Sequence, residues 1–181
     1  MAKKITIGLS VKEFREAARE VEKYKKELNQ KIQEFCKVLL QYGKVTAIQY
    51  GNQSPLGKTL HFSTEISPAV SGCKAMLIGV GQTKKSAGET GAPVNTLLLV
   101  EFGSGIHHNA GAVNPMQSDL GLGVGTFPGQ THAFDPNGWY YKDDDDQWHH
   151  SYGVKATMPM YHSANEMRQH IVETAREVFG K

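Results

Sequence analysis

Histidines and aspartates are the residues of this chain whose types could support catalysis. Two adjacent histidine pairs stand at His107-His108 and His149-His150, and Asp135 and four consecutive aspartates at 143–146 supply carboxylates. Imidazole and carboxylate groups are common metal ligands, so a metal-dependent hydrolase is one hypothesis. However, adjacent residues of a strand point to opposite faces, and no HExxH motif accompanies the pairs. The pattern favours surface histidines, with the hydrolase kept as the alternative.

Glu101 and Ser104 are the other candidates for a chemical role. Glu101 lies near the end of an apolar run, where it is either an unpaired acid with a raised pKa or, as the pattern favours, a salt-bridge partner at a sheet edge. Ser104 stands between two glycines but lacks the GxSxG spacing of a nucleophile elbow. The glycine-rich residues 121–126 lack the GxGxxG spacing of a nucleotide site. We therefore expect neither catalytic residues nor a cofactor.

The two cysteines, Cys36 and Cys73, are predicted to be free thiols. They lie far apart in the sequence, each within an apolar pattern, and no CxxC motif supports a metal site. The basic N-terminus is not followed by the apolar stretch of a signal peptide, and no apolar run reaches membrane-spanning length. We expect a protein that is made in a cytoplasm and has no membrane partner.

A long helix is predicted to begin at Ser10. Ser10 and Glu13 form a capping box, and Gly43 provides a left-handed stop about 30 residues later, roughly 45 Å along the helix axis. Apolar residues recur between them at three- and four-residue steps that are broken only at Lys25: Val11, Phe14, Ala18, Val21, Leu28, Ile32, Phe35 and Leu39. Because a compact sheet covers only part of such a rod, we expect part of this stripe to pack on another subunit.

Strands and a second helix are predicted for the rest of the chain. Two-residue periodicity or apolar runs indicate strands at 45–50, 60–66, 73–80 and 96–102, the last two forming a hairpin around the polar loop 81–95. A single C-terminal helix is predicted from a Thr157 N-cap to Gly180. The result is one α+β domain over 1–181, with the N- and C-terminal helices packed on an antiparallel sheet.

An insertion at about 104–155 interrupts this domain. Its first part is glycine-rich, and its second part is predicted to be an aromatic hairpin with an acidic tip. Residues 1–44 carry eleven Lys and Arg against six Glu, whereas 132–150 carry five Asp against one Lys, a distribution that suits contacts between subunits. The candidate interface residues are Phe14, Val21 and Leu28 on the helix and Trp139, Asp144, Asp145 and Trp148 on the hairpin.

Two motifs in combination carry a family resemblance. The first is V-E-F-G-S at 100–104, and the second comprises Ala156, Pro159 and Met160 at the entry to the C-terminal helix. Together they resemble the head-tail joining, or tail-completion, family of long-tailed bacteriophages. The insertion is longer than the shortest family members need, and its aromatic hairpin lies outside the minimal pattern.

The resemblance implies a structural virion protein without catalytic residues or cofactor. Such a protein forms a homo-oligomeric ring, a hexamer or a similar assembly, in the neck or upper tail, where it contacts other neck, connector and tail proteins. It is found in the virion and, during assembly, in the host cytoplasm. A ring lumen also allows contact with DNA that is not sequence-specific.

Overall fold

The computed structural model describes residues 10–69, 72–84, 94–107, 114–116, 135–142 and 145–180. Its helices are α1 (Val11–Gly51), α2 (Thr96–Phe102), α3 (Pro159–Gln169) and α4 (Ile171–Phe179), with 3-10 turns at Gly57–Thr59 and Gly105–His107. Its strands pair antiparallel as β1 (Leu60–Ala69) with β2 (Gly72–Gly81), β3 (Thr83–Lys84) with β4 (Val94–Asn95), and β5 (Trp139–Lys142) with β6 (Trp148–Ser151). The predicted α+β class is confirmed: the chain has a long N-terminal helix, an antiparallel two-stranded sheet and, in place of the one predicted C-terminal helix, two C-terminal helices.

The helix α1 begins at the predicted capping box. The Glu13 amide donates to Ser10 Oγ at 3.3 Å, and the Ser10 amide donates to Glu13 Oε2 at 3.1 Å. The helix then runs for 41 residues, about 62 Å at 1.5 Å per residue. Within the ranges that the structure describes, neither this helix nor any other is long and apolar enough to cross a membrane.

The predicted helix end at Gly43 and the predicted strand at 45–50 are both wrong, because α1 continues to Gly51. Gly43, Ala47 and Gly51 are buried and recur every four residues, so they share one face of the helix. A Cβ atom at Gly43 would lie 2.8 Å from Met167 Sδ, and one at Gly51 would lie 3.0 Å from Phe62 Cε2. These glycines therefore allow close packing on α3 and β1 instead of ending the helix.

Two stacked ring pairs align α1 antiparallel to α3 and the turn that follows it at His170. The rings of Tyr42 and His170 stack with centroids 4.0 Å apart, and those of Tyr50 and His162 with centroids 3.9 Å apart. Eight residues, about 12 Å of helix, separate Tyr42 from Tyr50 and likewise His162 from His170, so the stacks fall into register. Burial lowers the pKa of His162, which favours the neutral ring.

The strands predicted at 60–66 and 73–80 are confirmed as the cores of β1 and β2. Their register places Leu60 opposite Gly81 and Ala69 opposite Gly72. The predicted hairpin between 73–80 and 96–102 is wrong, because β2 pairs with β1 and residues 96–102 form the helix α2. The β1–β2 sheet therefore contacts the later part of the chain through helices: a Cβ atom at Gly79 of β2 would lie 3.1 Å from Leu97 Cδ2 of α2 and 2.9 Å from Met160 Sδ of α3.

The run 96–102 becomes a helix because its N-terminus is capped. Asn95 Oδ1 accepts from the Leu97 amide at 2.9 Å, and Gly103, at a φ of 76°, ends the helix. Short apolar runs are compatible with either a buried strand or a buried helix. Val100 is fully buried at its centre, so the apolar pattern still marks the core.

The C-terminal segment departs from its prediction at the cap and near the middle. Thr157 is not the N-cap: α3 begins after Met158, which has a left-handed φ of 51° and no side-chain acceptor. A turn at His170 separates α3 from α4. The first amides of α3 therefore need an acceptor from elsewhere in the chain.

Candidate partner interface and the junction behind it

Residues 11–28 of α1 carry large apolar side chains that no described part of the chain covers. Phe14 is 60% exposed and Val21 is 51% exposed, and Ala17 is the one buried residue of the segment. These side chains recur at helical spacing and point to one side of the helix. We call the following residues the exposed stripe: Val11, Phe14, Val21 and Leu28.

The exposed stripe continues directly into the part of α1 that packs on the body of the domain. Ile32, Phe35 and Leu39 follow at the same spacing and are half-buried. The Phe35 ring lies 5.8 Å from the Phe179 ring of α4. The apolar surface of α1 is thus partly covered by the body of the domain from Ile32 onward and left uncovered over residues 11–28, about 27 Å of helix.

Charged residues of both signs surround the exposed stripe. Residues 11–28 carry six Lys and Arg and five Glu. Lys23 Nζ lies 4.0 Å from Glu27 Oε1, and both side chains are well exposed, so this pair adds little stability. The near balance of charge suits a helix that contacts protein better than one that binds a polyanion.

The predicted aromatic hairpin is confirmed as β5 and β6. Its register places Tyr140 opposite His150 and Lys142 opposite Trp148. The Tyr140 ring lies 4.6 Å from the His150 ring, and His150 lies 4.7 Å from Tyr152. Because residues two apart on a strand share a face, these rings form one aromatic face.

The described residues of the aromatic face and of the acidic tip of this hairpin are exposed. Tyr140 is 67% exposed and Trp148 is 66% exposed. Asp145 is exposed at the tip, and the predicted interface residue Asp144 and the side chain of Trp139 lie outside the described part of the structure. Of the seven predicted interface residues, the five whose side chains are described are therefore at the surface, on two separate elements.

Glu101 joins the two motifs that the sequence singles out. Its Oε2 accepts from the Met160 amide and its Oε1 from the Tyr161 amide, both at 2.9 Å, so the carboxylate caps the first turn of α3. Asn114 Nδ2 also donates to Oε1 at 2.8 Å. The amide of Thr157 donates to the Val100 carbonyl at 2.9 Å. We call this set of contacts the Glu101 junction.

The expected position of Glu101 at an exposed sheet edge is wrong. Glu101 is 6% exposed, lies in a helix, and is held by amide donors instead of a salt bridge. Burial raises its pKa, and the hydrogen bonds from Met160, Tyr161 and Asn114 offset part of this effect. Both Glu101 carboxylate oxygens accept hydrogen bonds from within the chain, which is the arrangement of a structural acid.

Ser104 extends the same junction. Its amide donates to the Val154 carbonyl at 2.8 Å, and its Oγ accepts from the Val154 amide at 3.1 Å. A Cβ atom at Gly153, which has a φ of 101°, would overlap the Ser104 carbonyl oxygen. The hydroxyl of Ser104 is thus buried in a structural contact, and Ser104 is not placed as a nucleophile.

The histidines of the hydrolase hypothesis do not converge in the part of the chain that the structure describes. His107 follows α2, whereas His149 and His150 lie on β6, where His150 Nε2 is 2.6 Å from the Asn137 carbonyl oxygen. Asp135 Oδ1 accepts from the Asn137 amide at 2.8 Å in a local turn. Among the described residues, no three His, Cys, Asp or Glu side chains form a metal-binding group. His108 lies outside them.

Asn114 is the member of the Glu101 junction that the sequence pattern does not indicate. It is 3% exposed, and its Oδ1 also accepts from the Met116 amide at 3.0 Å. It lies thirteen residues beyond Glu101 within the glycine-rich insertion, where no periodic pattern marks a buried residue. The small residues Gly43, Ala47 and Gly51, by contrast, form a four-residue repeat that could have indicated helical packing.

Comparison of the chain with protein-family models, with curated proteins and with solved structures gave no match.

Proposed function

We propose that this chain is a structural protein of a long-tailed phage virion. In this proposal it forms part of the head-tail connector or the upper tail ring and is needed for head-tail joining or tail completion. The observation that carries the proposal is the exposed stripe, about 27 Å of apolar helix surface that the described part of the chain leaves uncovered. Such a surface suits a subunit that is completed by its neighbours.

The Glu101 junction supports the choice of family. The resemblance rests on two motifs that are about 55 residues apart, and the Glu101 carboxylate of the first motif accepts from the Met160 amide of the second. The pairing gives the two motifs a common structural role. Gly103 belongs to the same contact, since it has a φ of 76° and a Cβ atom there would lie 3.2 Å from the Ala156 amide nitrogen.

The hairpin supplies a second and different surface for contacts between copies. A head-to-tail ring uses two distinct patches on each subunit. Residues 139–151 carry four Asp and one Lys, whereas residues 11–51 carry nine Lys and Arg and six Glu. These modest net charges of opposite sign, +3 for 11–51 (9 − 6) and −3 for 139–151 (1 − 4), suit contact between the hairpin of one copy and α1 of the next.

Electron microscopy of the purified full chain, alone and with neck or tail proteins of the same phage, tests the proposal. We expect closed rings of uniform diameter, which a double Asp144→Lys, Asp145→Lys variant should weaken while its circular dichroism stays unchanged. If this variant forms the same rings as the wild type, the hairpin is not part of the subunit interface. Particles of monomer size under all conditions would contradict the proposal.

Metal analysis of the same preparation addresses the alternative function. A structural protein should retain no stoichiometric metal after dialysis. Stoichiometric zinc or manganese, lost on replacing His107 or His149 by alanine, would favour the hydrolase instead.

A further inference from the structure

The two cysteines, which the proposed function does not use, lie side by side between α1 and β2. Cys36 Sγ and Cys73 Sγ are 3.3 Å apart, both thiols are free, and both residues are partly exposed. They are the only cysteines in the sequence. The prediction of two free thiols is confirmed, but their proximity was not predicted.

The cysteine pair lies where α1 leaves the body of the domain. Cys36 is one helical turn beyond Ile32, whose Cγ2 lies 3.8 Å from the position that a Cβ of Gly72 would occupy. Cys73 follows Gly72 at the start of β2, opposite Pro68. The exposed stripe ends at Leu28, about two helical turns before Cys36. A covalent bond here would fix the base of the uncovered helical segment to the β1–β2 hairpin.

We propose that Cys36 and Cys73 form a redox-active dithiol that a small-molecule disulfide, such as oxidised glutathione, converts into an intramolecular disulfide. One cysteine thiolate attacks a sulfur of glutathione disulfide, forms a mixed disulfide and releases one glutathione thiolate. The second cysteine thiolate attacks the protein sulfur of the mixed disulfide and releases the second glutathione. The protein loses two protons and two electrons, and glutathione disulfide gains them.

The surroundings of the pair make this reaction slow at neutral pH. Burial is the main cause that raises the pKa of Cys36 to about 11, with a further contribution from Cys73. Little thiolate therefore forms at Cys36, and thiolate is the attacking species. We therefore expect the disulfide to form during long exposure to oxidising surroundings and both thiols to stay reduced in a reducing cytoplasm.

Treatment of the reduced full chain with oxidised glutathione tests the inference. We expect the intact mass to fall by two hydrogens, both thiols to be lost together, and a peptide that links Cys36 to Cys73 to appear in a digest. Closing a loop of roughly 38 residues should raise Tm by about 12 °C, and dithiothreitol should reverse the rise. Stable attachment of glutathione to either cysteine, or disulfides between chains only, would overturn the inference.

Two single variants serve as matched controls. Cys36→Ser and Cys73→Ser should each form only the mixed disulfide with glutathione and show no rise in Tm. Phenylarsine oxide, which binds two neighbouring thiols, provides a second test on the unmodified chain. We expect one equivalent to be retained and to block the oxidation, and failure to retain it would contradict the proximity of the thiols.

Discussion

Replacing Glu101 by alanine removes the carboxylate that caps the first turn of α3. Three hydrogen bonds are lost, from the amides of Met160 and Tyr161 and from the side chain of Asn114. The change also removes the link between the segment that follows α2 and the segment that begins α3. We expect it to destabilise the whole domain, because α3 packs directly on α1.

The magnitude follows from the number of donors that lose their partner. Each hydrogen bond contributes on the order of 1 kcal/mol, and each buried donor left without an acceptor costs at least as much. Removing a buried carboxylate returns part of this loss, since burial disfavours the charged form and raises its pKa. We therefore expect Glu101→Ala to lower the free energy of unfolding by about 3 kcal/mol, and Tm by about 9 °C.

Urea denaturation at one fixed protein concentration, followed by circular dichroism, measures this loss. Glu65→Ala is the matched control, because Glu65 is exposed on β1 and its replacement should change the free energy of unfolding by less than about 0.5 kcal/mol. A Glu101→Ala variant as stable as the Glu65→Ala variant would refute the assignment of Glu101 as the cap of α3.

Three further predictions concern the pH response of the Glu101 junction, its backbone and the exposed stripe. Because the folded-state pKa of Glu101 is raised above its usual value of 4.5, its contribution to stability is fully present below that value and declines as pH rises through the folded-state pKa. The Tm advantage of the wild type over Glu101→Gln should therefore narrow as pH rises from about 4 in thermal scans, and a widening gap would contradict the sign. Gly153→Ala should lower the free energy of unfolding by more than about 2 kcal/mol in urea titrations, since the residue has a left-handed φ and contacts the Ser104 backbone; an unchanged value would contradict this close contact. The double variant Phe14→Asp, Val21→Asp should change the free energy of unfolding of the monomer by less than about 1 kcal/mol but weaken self-association at least tenfold in sedimentation experiments. The control variant Gln30→Asp, on the opposite face of α1, should leave both the free energy of unfolding and self-association unchanged.

The sequence predicted those elements whose signals are local. The capping box at Ser10 and Glu13 places the start of α1, because both partners lie within one helical turn. The strands β1 and β2 and the aromatic hairpin are likewise predicted from alternation and turn residues. These elements need little information from distant parts of the chain.

The errors arose where distant contacts decide the local structure. Residues 45–50 alternate like a strand, but Ala47 is fully buried and Tyr50 stacks on His162 of α3, so packing on α3 favours the helix. Residues 96–102 are a different case, because the Asn95 cap is a local signal, while the apolar run itself fits a buried strand as well as a buried helix. The side chain that caps α3 is Glu101, more than fifty residues away in the sequence. The local pattern therefore favours Thr157 as the N-cap, and this prediction is wrong because the capping contact is not local.

The sequence predicts that part of the α1 stripe is exposed, but it does not identify the partner. A stripe that is too long for the body of a small domain indicates an uncovered surface, and Phe14, Val21 and Leu28 are indeed exposed. In the proposed assembly another chain covers these side chains, and neither that partner nor the geometry of the contact follows from one sequence.

Native mass spectrometry of the full chain across a concentration series tests the central claim that the exposed stripe is a subunit interface. The account predicts assemblies whose mass is a fixed multiple of 19.9 kDa. The Phe14→Asp, Val21→Asp variant should be shifted to the monomer, and the Gln30→Asp variant should retain the wild-type assembly. A mass of 19.9 kDa at every concentration, or assemblies that persist unchanged in the double variant, would contradict it.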